Sequence, residues 1–203
     1  MAWDALPSAV IGAVIALSGT LLADVRRDRR VRRRDRDLDR RRYGLQFITA
    51  LSETLGSLRG VTSQPMETGA RHAAAAEAMA PLYVAREQVL VAGSAALVLA
   101  AEGAFHRLVD VRDVVRSGAA LDSADYHDAY HAFHDALWQF RLAVRSDLDE
   151  PALAPADLGR PDWSDRDRCT LCRARAAAAP PDIGGQVNHS VEQGLNRSSS
   201  DSG

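Results

Sequence analysis

Apolar residues recur at helical spacing through the middle of the chain, and almost no stretch alternates as a strand would. Between Tyr43 and about Glu150 this pattern predicts four helices. The first ends near Gly60, the second covers about Ala70 to Ala92, the third follows Gly93–Ser94 to Ser117, and the fourth follows Asp122–Ser123 to about Asp147. Four amphipathic helices joined by short loops favour an antiparallel bundle, so the fold class is expected to be all-α.

The expected core lies along one apolar stripe of each helix. Ser94 and Ser123 stand where N-caps are expected, and Pro81 predicts either a kinked second helix or two short ones. The stripes are Phe47, Leu51, Leu55 and Leu58 in the first helix; Leu97, Ala101, Phe105, Leu108, Val111 and Val115 in the third; and Tyr126, Tyr130, Phe133, Leu137, Phe140 and Val144 in the fourth.

The N-terminal region has a different pattern: residues 5–23 form a 19-residue run without a charge, after a short segment of residues 1–4. At ~1.5 Å per residue a helix of that length covers roughly 28 Å, close to the hydrocarbon thickness of a bilayer. A cleaved signal peptide is the alternative, but residues 1–4 carry no Arg or Lys and Leu21 stands where cleavage needs a small residue. The sequence therefore predicts a retained single-pass transmembrane helix.

Residues 24–42 form a charged stem, expected to continue the membrane helix as one rod. From Arg26 to Arg42 it holds eleven Arg and four Asp, whereas the 43–150 region has 14 acidic residues and eight Arg. The positive-inside rule predicts that the N-terminus faces outward and that everything after the span is cytoplasmic.

The stem arginines have three interpretations. They can act only as a topology determinant, they can contact anionic lipid headgroups, or they can bind nucleic acid phosphates. Nucleic acid is disfavoured because no aromatic residue interleaves the run. The residues proposed for lipid or phosphate contact are Arg26, Arg27, Arg29, Arg30, Arg32, Arg33 and Arg34.

Two patterns are compatible with a homodimer. A stripe of small residues would let two membrane helices approach closely, although such residues are common in any membrane helix: Ser8, Gly12, Ala16, Gly19 and Ala23. Val31, Leu38 and Leu45 recur every seven residues, but Arg34 and Arg41 occupy the matching positions and argue against a strong coiled coil.

From Pro151 onward the chain is rich in Pro and has no apolar stripe, so residues 151–203 are expected to be mostly disordered. Trp163 is the one large apolar residue there that could dock onto the bundle. Cys169 and Cys172 form a C-x-x-C pair, but four zinc ligands are needed, no second pair exists and the nearest His, His189, is in a Ser/Gly-rich region. They are expected to be exposed, reduced thiols.

His127, His131 and His134 lie on one side of the fourth helix, and the first two have the spacing at which helical imidazoles chelate a metal. Asp128 and Asp135 are close enough in sequence to orient the rings. The row either forms a metal or pH-sensing site or consists of three partly exposed histidines at the edge of the core.

No nucleophile elbow, phosphate-binding loop, dinucleotide fingerprint or zinc-protease motif occurs. The sequence therefore predicts a non-enzymatic module without a cofactor, which presents its bundle to an unknown protein partner or to a second copy.

Several segments of the first 150 residues have a familiar pattern: Met1–Asp4, Gly19–Asp24, Arg42–Phe47, Val91–Ser94, and Phe140–Arg141 followed by Asp147–Leu148. In these segments the chain resembles a group of actinobacterial membrane proteins, some of which are labelled CchlQ in streptomycetes. The resemblance implies a single span with a cytoplasmic helical domain and no established activity.

Overall fold

A computed structural model describes residues 5–178, with side chains from Asp24 onward. Every regular element in this part of the chain is helical, which confirms the all-α prediction. The long helices are α1 (Ala5–Thr62), α2 (Thr68–Ala92), α3 (Ala95–Ser117) and α4 (Ala124–Asp147). Two 3₁₀ helices (Pro155–Leu158 and Arg166–Arg168) and helix α5 (Thr170–Ala178) follow.

The predicted helix ends are mostly correct. The Leu97 amide donates to Ser94 Oγ at 3.3 Å, and the Tyr126 amide donates to Ser123 Oγ at 3.2 Å, so both serines cap their helices. Gly118 ends α3 in the left-handed conformation, with φ of 86°, which glycine adopts without strain. By contrast, α1 continues past Gly60 to Thr62.

Pro81 neither divides α2 nor ends it. Helix α2 is continuous from Thr68 to Ala92, although proline removes one helical hydrogen bond. Met79 and Leu82, on either side of the proline, are 1% and 0% exposed. Their burial in the core offsets the local cost, so the helix continues through the proline.

Helices α1 to α4 form an antiparallel bundle around one core. Phe47 of α1 meets Phe140 of α4 edge to face, with ring centroids 5.2 Å apart. Arg40 of α1 marks one end of the bundle: its Nε donates to the Ala92 carbonyl at the end of α2 and lies 4.0 Å from Asp147 at the end of α4. The C-termini of α2 and α4 therefore meet α1 at the same level.

Helix α1 extends beyond the bundle as an exposed rod, as the stem prediction requires. Residues 24–39 are exposed, and Asp28 pairs with Arg32 one turn later at 2.9 Å. Val31 and Leu38, two of the three residues with heptad spacing, are 51% and 58% exposed, so no other part of the described chain packs over them.

The predicted membrane span falls where only the backbone is described. Among the residues whose side chains are described, no helix is long and apolar enough to cross a membrane. Residues 5–23, and with them the small-residue stripe, have no described side chains, so the span and the helix pairing stay predictions.

The prediction of disorder from residue 151 is wrong for the part that the structure describes. Residues 155–178 contain three short helical elements, and Trp163 is only 8% exposed. Its indole stacks on Trp138 of α4 at 4.5 Å. Residues 179–203 lie outside the description. We call residues 151–178 the C-terminal segment.

Candidate metal centre

Helix α4 supplies two histidines to the face covered by the C-terminal segment. His127 and His131 are four residues apart, so they occupy successive turns on one side of the helix, with ring centroids 5.8 Å apart. His131 is 3% exposed, which is unusual for a polar side chain. The cover that buries it comes from residues distant in sequence.

The C-terminal segment supplies two cysteines. Cys169 directly precedes α5, and Cys172 lies in the first turn of that helix. Both thiols are free, and Cys172 is 7% exposed. The start of α5 therefore turns both sulfur atoms towards α4.

The two pairs converge on one point. The four ligand atoms offered by His127, His131, Cys169 and Cys172 all lie within 4.8 Å of one another. Cys169 Sγ is 3.4 Å from His127 Nδ1. Two imidazole nitrogens and two thiol sulfurs are the Cys₂His₂ ligand type of structural zinc sites.

The environment of His131 orients its ring for a ligand. Its Nδ1 donates to the Ser164 carbonyl at 2.7 Å, and this bond fixes the tautomer in which Nε2 carries a lone pair. Nε2 is buried and has no hydrogen-bond partner among the described residues. A buried acceptor without a partner costs free energy that a metal bond would offset.

The two thiols differ in acidity. The Cys172 amide, at the N-terminus of α5, donates to Cys169 Sγ and lowers the pKa of Cys169 to about 6. Burial raises the pKa of Cys172. Cys169 is thus poised as a thiolate, the form that binds metals, and a cation would also favour the thiolate of Cys172.

Ion pairs hold α5 beside α4. Asp128 accepts from Arg175 at 2.7 Å and pairs with Arg166 at 3.0 Å. The hydrogen bond from Arg175 lowers the pKa of the Asp128 carboxyl. Asp128 therefore does not orient a histidine ring, as the sequence suggested, and Asp135 is exposed.

His134, the third member of the predicted row, lies outside the cluster. Its ring packs against Tyr130 at 4.3 Å, and burial lowers its pKa to about 4. The sequence placed His127 and His131 in a candidate site with His134, but it predicted exposed thiols at Cys169 and Cys172. That prediction is wrong for Cys172, which is buried beside the histidines. The two spacings, H-x₃-H and C-x₂-C, were visible separately, and only the folded C-terminal segment joins them.

The other candidate residues do not form an enclosed site. Arg26, Arg29, Arg30 and Arg33 line a shallow surface of the exposed rod. Such an arrangement can contact a charged surface but does not select a particular ligand.

Comparison of the chain with protein-family models, with curated proteins and with solved structures finds no match.

Proposed function

We propose that the protein is a non-enzymatic helical zinc-binding module, held at the cytoplasmic face of a membrane by the N-terminal part of α1. The observation that carries the zinc proposal is the convergence of His127, His131, Cys169 and Cys172 within 4.8 Å. Histidine nitrogen and thiolate sulfur in tetrahedral array suit zinc better than the hard cations, which select oxygen ligands.

The role of the metal would be structural. Four protein ligands fill a tetrahedral shell, whereas catalytic zinc keeps one position for water or substrate. The ligands come from two parts of the chain more than thirty residues apart, so the metal would fasten the C-terminal segment to α4. This segment has little apolar surface of its own, and a metal bond supplies stability that such a segment lacks.

Zinc titration of the full-length, metal-free protein in a calorimeter tests the proposal. We expect one zinc ion per chain, and at least about a hundredfold weaker binding for Cys172→Ser, because a ligand is lost. The site predicted from the sequence includes His134, whereas the observed cluster does not. His134→Gln should therefore leave zinc binding unchanged.

His106→Gln is the matched control, because His106 is an exposed histidine on α3 that is not part of the cluster. Undiminished binding by Cys172→Ser, or loss of binding in His106→Gln, would remove the proposed ligand set.

The membrane part of the proposal rests on two observations. Helix α1 is continuous from Ala5 to Thr62, so the charge-free segment and the first helix of the bundle form one rod. The arginines from Arg26 to Arg36 are exposed, so they can contact anionic headgroups at about 1 kcal/mol for each residue close to the surface. A second copy or a protein partner would then meet the bundle at the membrane.

A further inference from the structure

A groove opens on the bundle between α1, α4 and the segment after α4. Its volume is about 580 Å³, within the range of roughly 300–1,000 Å³ typical of small-molecule sites. The two helices approach closely next to it, where a Cβ placed on Gly44 would lie 3.1 Å from Val144 Cγ2. Beside this contact the groove is open between the two helices.

The floor and one wall of the groove are apolar. Leu45 and Ile48 of α1 face it, and Leu148 and Leu153 approach from the segment after α4. Leu45 is 51% exposed. Arg145 positions the segment by donating to the Pro151 carbonyl at 3.1 Å. The groove therefore offers apolar side chains from two elements that a hydrocarbon chain could contact.

The charges around the groove are predominantly positive. Arg41, Arg141 and Arg145 line it, against the single carboxylate of Glu150, which lies 3.9 Å from Arg145. Among the described residues, Arg41 and Arg141 form no ion pair. Arg141 is half-buried with its guanidinium 4.8 Å from the Trp138 ring, and burial together with Arg160 lowers its pKa. A desolvated guanidinium without a counterion is costly, and an anion would offset that cost.

We infer that this groove binds a single-chain amphiphile with a carboxylate head, of the fatty-acid type. The acyl chain would lie over Leu45 and Ile48, and the carboxylate would meet Arg141 and Arg41. A ligand free to leave the bilayer fits best: Arg41 lies 18 residues beyond Ala23, which is about 27 Å along α1.

Quenching of tryptophan fluorescence in the Trp3→Phe form of the full chain tests this inference, because Trp138 lines the groove, Trp163 stacks on it, and the substitution removes the tryptophan beside the predicted span. The full chain is placed in phosphatidylcholine nanodiscs and titrated with bromine-tagged dodecanoate, or with the matching bromine-tagged dodecanol as the uncharged probe. We expect saturable quenching by the carboxylate at concentrations about tenfold lower than by the alcohol, as one charged hydrogen bond would give.

Arg141→Gln and Arg41→Gln should abolish that tenfold preference while leaving the response to the alcohol unchanged. The ratio of the two probes is measured within each variant, so altered emission of Trp138 does not affect it. Arg107→Gln, an exposed arginine on α3, is the matched control and should keep the preference.

Equal quenching by both probes in the unsubstituted chain would overturn the inference. So would a preference that survives in both groove variants. Nanodiscs containing bromine-tagged phosphatidylglycerol provide the last arm: quenching there, without quenching by free dodecanoate, would assign the groove to a bilayer lipid and contradict the stated ligand.

Discussion

At the scale of single residues, His131 explains best why the cluster suits a metal. One ring nitrogen donates to the Ser164 carbonyl, and the other is buried among the cysteines without a partner. A histidine in the core normally satisfies both nitrogens. A metal ion held by the cluster would supply the partner that Nε2 of His131 lacks.

His134 gives a prediction about pH. Its pKa in the folded protein is about 4, against 6.5 for the unperturbed group, because burial disfavours the charged ring. Between pH 6.5 and 4 the unfolded chain takes up a proton that the folded protein does not, so the free energy of unfolding falls as the pH falls. His134→Gln should flatten this fall by roughly 2 kcal/mol after allowance for the partial exposure of the ring.

Urea unfolding of the metal-free protein at several pH values within that window measures the effect. The remaining titratable groups are the same in both proteins, so the difference between the two curves isolates His134. Parallel curves for the variant and the unsubstituted protein would show that His134 is not buried as described.

At the scale of elements, the sequence was informative for α1, α3 and α4, because their buried residues recur at the helical period and this spacing is visible in the sequence. The C-terminal segment lacks this signal. Trp163 stacks on Trp138, which is 25 residues earlier in the chain. Cys169 contacts His127, which is 42 residues earlier. Periodicity describes one element at a time and does not reveal such long-range pairs. For the same reason, the sequence did not show that the two cysteines lie beside the two histidines.

The C-terminal segment should respond to metal as a unit. We expect that zinc removal by a chelator speeds amide hydrogen exchange in residues 155–178, while α3 remains protected. Helix α3 has seven buried residues in the core, whereas α5 has one, Cys172. Hydrogen exchange followed by mass spectrometry resolves the two regions.

Cys172→Ser is the control for that experiment, since its exchange should already be fast in the presence of zinc. Equal protection of residues 155–178 with and without zinc would show that the stacking and the ion pairs hold the segment alone.

At the scale of the whole molecule, α1 joins three regions of different chemistry in one helix. A charge-free segment, a stem with eleven Arg and the first helix of the acidic bundle follow each other without a break from Ala5 to Thr62. This order suits a protein whose metal-fastened bundle is presented at a fixed distance from a membrane.

Membrane fractionation tests this arrangement. The full chain should sediment with membranes, resist alkaline extraction and keep its C-terminus protected from protease added outside the cell. A chain without residues 5–23 should be released by alkaline extraction, because its arginines can then contact headgroups only from the membrane surface. Extraction of the full chain by alkali, or release of a product cleaved after Ala23, would overturn the predicted topology.

The central claim is the ligand set of the metal site, and cobalt(II) substitution of the full-length protein tests it most directly. Tetrahedral cobalt with two thiolates gives intense visible absorption and a sulfur-to-metal charge-transfer band. The account predicts both signals at one cobalt ion per chain, bleaching on addition of one equivalent of zinc, and loss of the charge-transfer band in Cys169→Ser combined with Cys172→Ser. Weak absorption typical of octahedral cobalt, or a charge-transfer band that persists in the double variant, would contradict it.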